Sequence, residues 1–164
     1  MRRGTSPKSF HVNTDHFEPP PSWKLGEPAV LQAFKKRYGL RADSTLILSG
    51  EDPTASYRLR VVLAYMGFRD VRVLNGGVAA WRAAGHERST KRHAPPPPVE
   101  SSDGLESLPG RPELIDHITE VKRALARRSD FTLVDTRTWA EFTGETSGYD
   151  YHEHRGRIRG AVYG

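Results

Sequence analysis

Length, composition and charge set the first limits on what this chain can be. It has 164 residues, 36% of them hydrophobic and 27% charged, so one or two compact domains with an ordinary core are expected. The absence of cysteine excludes disulfides, a thiolate zinc site and any cysteine nucleophile supplied by this chain. No apolar run approaches the roughly 20 residues that cross a bilayer, so we expect a soluble, cytoplasmic protein without membrane contact.

The basic charge is concentrated in the first half of the chain. Residues 1–85 carry 13 Lys and Arg against 7 Asp and Glu, whereas residues 86–164 carry 12 against 13. The basic side chains alternate with predicted core positions, whereas a nucleic-acid site gathers them on one face. We therefore expect no nucleic-acid partner, and an attraction to small anions stays open.

A change of composition divides the chain into two folding units. Residues 86–110 contain four consecutive prolines, Pro95–Pro98, and almost no apolar side chain, which favours an extended polyproline II linker. The predicted organisation is therefore a unit at 1–85, a linker at 86–110 and a second unit at 111–164.

Helices and strands alternate in both predicted units, which indicates an α/β fold with a parallel sheet. In the first unit, Asp52 reads as the N-cap of a helix that joins two strands, so the strands should be adjacent, parallel and buried. Gly76-Gly77 reads as a turn with positive φ before a short helix. The predicted elements are helices at 27–38, 53–66, 78–81 and 112–128, strands at 45–48, 71–74 and 131–134, and a possible strand beginning at Ala161.

Several segments together carry a resemblance to a known family. Residues 71–81 contain a strand, a double glycine and a tryptophan; residues 133–144 contain a strand followed by Asp-Thr-Arg; and residues 156–162 read Gly-Arg-Ile-Arg-Gly-Ala-Val. These segments resemble the rhodanese family of sulfurtransferases, in particular its tandem two-domain thiosulfate and 3-mercaptopyruvate enzymes, although Arg159 departs from the usual proline. The stretch 144–156 is similar to a subgroup of bacterial tandem sulfurtransferases. The resemblance implies a rhodanese-like three-layer α/β fold with a parallel sheet, incomplete at both ends.

The same resemblance indicates where this chain falls in a two-domain repeat. Residues 4–12 look like a degraded copy of residues 156–162, with Pro7 retained where Arg159 has replaced proline. Chance similarity in a polar terminus is the alternative. If the copy is real, the chain holds the C-terminal part of a first domain, a linker, and the N-terminal part of a second domain that lacks its cysteine loop.

Rhodanese chemistry needs a cysteine thiolate in a loop at a helix N-terminus, where backbone N–H groups stabilise a persulfide. In this chain that loop falls at Ser49, Gly50, Glu51 and Asp52, without a cysteine. Asp52 would accept the helix N–H groups itself, and Glu51 would repel an anion. We expect a non-catalytic first domain, and no base is evident that would activate Ser49 as a nucleophile.

The resemblance implies that the working cysteine lies in the second domain, downstream of Gly164. Asp135 and Arg137 look like the family's Asp-x-Arg, whose ion pair braces loops; direct substrate contact is the alternative. Arg155 and Arg157 are candidates for attracting an anion, with a solvated loop as the alternative.

No metal or cofactor is expected in this chain. His152-Glu153-His154 lacks a third ligand at a defined spacing, so a solvent-exposed loop is favoured over a metal site. The double glycine Gly76-Gly77 lacks the phosphate-binding pattern and the acidic residue of a nucleotide loop.

Two functional hypotheses follow. In the first, the parent protein moves sulfane sulfur from a small anionic donor, thiosulfate or 3-mercaptopyruvate, to a thiol acceptor or cyanide through a cysteine persulfide, and this chain alone is inactive. In the second, the chain is a non-catalytic rhodanese-like module that binds a partner or an anion, or a truncated remnant. The missing cysteine favours the second hypothesis for the chain, whereas the family segments favour the first for its parent.

Overall fold

The computed structural model describes residues 9–21, 23–98, 109–127, 131–148 and 153–164. The chain forms two compact units, Met1–Ile115 and Asp116–Gly164. Within the described part of the chain, no helix is long and apolar enough to cross a membrane. The division into a domain, a linker and a second domain stays a prediction, as does the cytoplasmic location, and the predicted repeat at residues 4–12 lies largely outside the described residues.

A parallel pair of strands joined by a helix organises the first unit. Strand β1 (Leu46–Leu48) pairs with β2 (Val71–Val73), with Leu46 opposite Val71 and Leu48 opposite Val73. Helix α2 (Pro53–Met66) forms the crossover between them. The predicted strand–helix–strand arrangement and the α/β class are confirmed.

Local signals in the sequence place the ends of the first unit's helices. Helix α1 (Pro28–Arg37) begins at a proline, and Gly39 follows its end with φ +56°. The Asp52 side chain accepts a hydrogen bond from the Thr54 N–H at 2.8 Å, and Gly67 ends α2 with φ +104°. Proline favours the first turn, and glycine adopts the left-handed conformation that follows the last turn. Helix α3 (Gly77–Ala83) follows β2.

The core of the first unit lies between α1, α2 and the segment before them. Phe17 and Phe34 pack edge to face with ring centroids 5.2 Å apart. The largest fully buried side chains are apolar and come from these segments: Phe17, Phe34, Leu31, Leu63, Met66 and Val62. Burial of each removes apolar surface from water and stabilises the fold by roughly 1.5 to 3 kcal/mol.

The sheet of the first unit is less buried than predicted. Leu46 and Leu48 pack against the core, but Ile47 between them is 67% exposed, and Arg72 on the neighbouring strand is also exposed. Successive side chains of a strand point to opposite faces. The expectation that both strands would be buried was wrong, because only one face of this two-stranded sheet packs against the core.

The second unit is built from short elements. Helix α4 (Ile118–Arg127) precedes β3 (Val134–Asp135), helix α5 (Trp139–Thr143) and β4 (Val162–Tyr163). Strands β3 and β4 pair in parallel, with Val134 opposite Val162. The strand expected from Ala161 onward is confirmed at Val162, and β3 pairs within its own unit.

Two predicted elements differ from the structure. The helix expected over 112–128 is a 3-10 turn at Pro112–Leu114 followed by extended backbone at Ile115, with φ −140° and ψ 113°, before α4 begins. Ile115 is partly buried against the core of the first unit, which accounts for the break. The strand expected at 131–134 is shifted to Val134–Asp135, where the partner strand supplies hydrogen bonds.

Candidate functional site

The loop that resembles a cysteine loop lies between β1 and α2 in the first unit. Ser49, Glu51 and Asp52 are exposed and Gly50 is half-buried. The carboxylate of Asp52 occupies the Thr54 N–H at the start of α2. An anion would therefore meet two carboxylate side chains and an N-terminus whose first free donor already has an internal acceptor.

The double glycine packs directly on this loop. The Val78 N–H donates to the Gly50 carbonyl oxygen at 3.3 Å. Gly76 and Gly77 have φ values of +75° and +55°, which confirms the predicted turn. A Cβ atom on Gly77 would lie 2.5 Å from the Gly50 carbonyl oxygen. Glycine is thus required at position 77 by backbone conformation and by the close approach of the loop.

In the second unit, Asp135 and Arg137 form a two-bond ion pair. The Arg137 Nε donates to Asp135 Oδ1 at 2.9 Å, and its Nη2 donates to Asp135 Oδ2 at 2.6 Å. The Asp135 side chain is only 10% exposed. The hydrogen bonds from Arg137 hold the pKa of Asp135 below its usual range, and the charge of Arg157 adds to the effect.

Three arginines of the second unit donate to backbone carbonyl oxygens around the loop after α5. Arg137 Nη2 donates to the Gly156 oxygen at 2.9 Å, which extends its ion pair to a distant segment. Arg155 Nη1 donates to the Glu145 oxygen at 3.0 Å, and Arg157 Nη1 donates to the Phe142 oxygen at 3.1 Å. These last two carbonyls lie in or after the final turn of α5, where helical carbonyls lack intrahelical donors.

An aromatic cluster lies under one of these arginines. The Arg157 guanidinium lies 4.3 Å from the centroid of the Phe142 ring, a cation–π distance. Phe142 packs against Trp139 and Tyr163, with centroids 5.5 and 5.4 Å away. Trp139 is 56% exposed, so this cluster is only partly covered.

A pocket of about 500 Å³ in the second unit adjoins these arginines. Its lining combines the end of β3 with the segment before β4: Leu133, Val134, Asp135, Thr136, Arg137, His154, Arg155, Gly156, Arg157, Ile158 and Ala161. All four polar candidates of the second unit thus lie around one pocket. The loop at Ser49–Asp52 belongs to the first unit and is not part of it.

Sequence reasoning identified the arginines but missed their acceptors and supports. Phe142 under Arg157 and the carbonyl of Gly156 had no recognisable signal. Thr138 and Glu141 had a recognisable signal, because they form a capping box at the start of α5 and the sequence shows its Thr-x-x-Glu spacing. Hydrogen bonds from Thr138 hold the pKa of Glu141 below its usual range.

The predicted absence of a metal site concerns a motif that is only partly described. His152 lies outside the described residues, and His154 lines the pocket. Among the residues that the structure describes, no group of three or more His, Cys, Asp or Glu side chains could hold a metal ion.

The fold agrees with comparisons to known proteins. Residues 2–84 match the family described as Rhodanese-like domain, and the chain belongs to the rhodanese family. It is 36% identical over 158 residues to the thiosulfate sulfurtransferase YnjE of Escherichia coli K12, a match that covers 96% of this chain and 36% of YnjE. It is 34% identical over 131 residues to a probable 3-mercaptopyruvate sulfurtransferase of Pseudomonas aeruginosa, which covers 77% of this chain and 43% of that protein.

Comparison with solved structures supports the same family. The crystal structure of YnjE aligns with a TM-score of 0.85 and 34% identity over 98% of this chain and 38% of that chain. A persulfide form of EanB in a tetrahedral intermediate state with ergothioneine aligns with a TM-score of 0.86 and 32% identity over 98% of this chain and 41% of that chain. The chain therefore spans about two fifths of the length of these relatives.

Proposed function

We propose that this chain is part of a rhodanese-type sulfurtransferase, which moves sulfane sulfur from thiosulfate or 3-mercaptopyruvate to a thiol or cyanide. The observation that carries the proposal is the rhodanese-like match over residues 2–84, together with relatives that are named for thiosulfate and 3-mercaptopyruvate sulfur transfer. Such an enzyme takes a small anionic sulfur donor and a separate acceptor. The persulfide is carried by a cysteine, which this chain does not contain.

In this proposal the first unit is a non-catalytic rhodanese-like domain. Its loop at Ser49, Gly50, Glu51 and Asp52 takes the position of a cysteine loop without the thiol. The Asp52 carboxylate satisfies the Thr54 N–H, so no external anion is needed to stabilise the start of α2. The first unit contributes a folded domain and no nucleophile.

Asp135, Arg137, Arg155 and Arg157 act in the second unit as braces of the loop after α5. The support for this role is that Arg137, Arg155 and Arg157 each donate to a backbone carbonyl oxygen. Arg155 and Arg157 are exposed and have further N–H groups, so they can also attract the anionic donor toward the pocket. Arg155 and Arg157 thus serve first to brace the loop and second to attract the anionic donor.

An activity assay tests the catalytic part of the proposal. The purified chain is expected to form no thiocyanate from thiosulfate and cyanide above a heat-treated control, because no thiol is present to carry the sulfur. The natural full-length protein, isolated from its source, is expected to carry one extra, cyanide-labile sulfur atom on a cysteine outside residues 1–164, detected by mass spectrometry. A natural protein without such a cysteine would support the non-catalytic module instead.

A pair of matched substitutions tests the bracing role. Arg72 forms the same two-bond pair with Asp70, at 2.7 and 2.8 Å, as Arg137 forms with Asp135. Arg137→Lys is expected to cost about 1 to 2 kcal/mol of local stability, because a lysine cannot keep the bidentate pair and the bond to Gly156 together. Arg72→Lys, in an exposed pair, is expected to cost at most about 0.5 kcal/mol. Amide exchange around Gly156 that is equal in both variants would contradict bracing.

A further inference from the structure

Residues 93–98 and 110–115 contact the core helices of the first unit and the segment before them at several points. His93 forms a parallel bridge with Phe10, whose ring stacks on Tyr38 at 6.0 Å. Tyr38 is 4% exposed and ends helix α1. The segment that begins at His93 therefore pairs with the backbone of a residue whose ring packs on the C-terminal end of α1.

The next contact falls on Gly39. This residue is buried and has φ +56°. A Cβ atom placed on it would lie 2.6 Å from the carbonyl oxygens of both Pro96 and Pro97, closer than van der Waals contact allows. The proline segment thus packs its backbone into the space that a side chain at position 39 would fill.

The segment after the linker makes equivalent contacts at the end of α2. A Cβ atom on Gly110 would lie 2.9 Å from the Gly67 Cα atom. The Arg111 N–H donates to the Tyr65 carbonyl oxygen at 3.0 Å, in the last turn of α2. Ile115 is partly buried against the core cluster that contains Tyr65. Backbone packing, a hydrogen bond and an apolar contact therefore fix this segment.

We propose that residues 93–98 and 110–115 form a strap that belongs to the fold of the first unit and clamps the C-terminal ends of α1 and α2. Gly39 and Gly110 are its two docking points, because both are glycines whose missing side chains leave room for the opposing backbone. The strap holds the C-terminal ends of two core helices that follow one another in the chain. Its release loosens the first unit and withdraws from the core only one partly buried side chain, that of Ile115.

A comparison of two glycine variants in the full chain tests the strap. Gly39→Ala introduces strain at positive φ and a clash with Pro96 and Pro97. Gly85→Ala is the matched control, since Gly85 has φ +74° but nothing within 4 Å of the added Cβ atom. The measurement is the rate at which trypsin cuts after Arg92, which is exposed and directly precedes the strap, with the fragments identified by mass spectrometry.

Gly39→Ala is expected to raise this cutting rate about tenfold, because cleavage follows the population of the released segment, whereas Gly85→Ala leaves it within about twofold. Equal rates in the two variants would overturn the strap. If Gly39→Ala does not fold, Gly110→Ala carries the test, since Gly110 lacks a positive φ. That variant is expected to speed amide exchange at Arg111 about tenfold, and unchanged exchange there would likewise overturn the proposal.

Discussion

Charge at single residues decides what the candidate loop can hold. Glu51 and Asp52 place two carboxylates in the loop before α2, and Asp52 also accepts the first free N–H of that helix. A helix N-terminus favours negative charge, and the side chains of Glu51 and Asp52 already provide that charge here. Both carboxylates therefore disfavour a further negative charge in this loop.

A thiol introduced at Ser49 measures this effect. The thiol pKa of Ser49→Cys is expected to lie at or above the ordinary value of about 8.5, because nearby negative charge disfavours the thiolate. Adding Glu51→Gln and Asp52→Asn should lower that pKa, while asparagine still caps α2. The pH dependence of alkylation by iodoacetamide gives both values. Identical pKa values in the single and triple variants would show that the two carboxylates do not act on this position.

The Asp135–Arg137 pair predicts a pH dependence of the second unit. The hydrogen bonds from Arg137 lower the pKa of Asp135 in the folded state. The pair therefore stabilises the folded state at pH values above the unfolded-state pKa of aspartate, about 3.9. That stabilisation is lost as the pH falls through the lower folded-state value. We expect Asp135→Asn to be less stable at pH 6 and to flatten the loss of stability with acid. Chemical unfolding from pH 6 to 2.5 measures this, and parallel curves for the two proteins would contradict it.

At the scale of elements, the close packing of α3 on the β1–α2 loop depends on one glycine. Gly77→Ala is expected to destabilise the first unit by about 1 to 3 kcal/mol, because the new Cβ atom meets the Gly50 carbonyl oxygen and the backbone has positive φ. Gly85→Ala introduces only the strain of positive φ, so it should cost about 1 to 2 kcal/mol, less than Gly77→Ala. Urea unfolding of both variants measures the difference. If Gly77→Ala lowers the free energy of unfolding no more than Gly85→Ala does, the close packing of α3 on the loop does not contribute to stability.

The elements that the sequence predicted well are those with local end signals. Asp52-Pro53 and Gly67 bracket α2, and the structure begins and ends the helix there. The helix expected over 112–128 failed because its apolar period continues through Ile115, whereas the core of the first unit takes that side chain. Tertiary packing of one residue interrupts a helix that the spacing of apolar residues predicted.

In the candidate site, too, contacts between residues close in sequence were predictable and contacts between distant residues were not. The pairing of Asp135 with Arg137 is readable because the two residues are two positions apart and a strand precedes them. The acceptor at Gly156 lies 19 positions away, and its backbone carbonyl carries no signature of residue type. Contacts made by backbone atoms across a long loop could not be predicted from the residue pattern.

For the molecule as a whole, burial is unequally shared between the units. Among the described residues, Phe142 is the single buried hydrophobic residue of the second unit, whereas the other thirteen belong to the first. Because stability follows buried apolar surface, the first unit should be the more stable of the two.

Hydrogen exchange of the whole chain tests this ranking. We expect the slowest amides in α2 and β2 of the first unit. Leu63→Ala removes a side chain that is 1% exposed, so it should cost the first unit about 2 to 5 kcal/mol while exchange in the second unit stays unchanged. Slowest exchange in the second unit, or equal acceleration of both units by Leu63→Ala, would contradict the ranking.

The Asp52 carboxylate acts as a tethered ligand of the helix start. Its carboxylate is attached two residues from the N–H that it binds, so its effective concentration there is on the order of millimolar or higher. A free anion must compete with this local concentration before it gains any hydrogen bond at Thr54. An external anion of similar intrinsic affinity therefore displaces the Asp52 carboxylate only when its own concentration exceeds this local value.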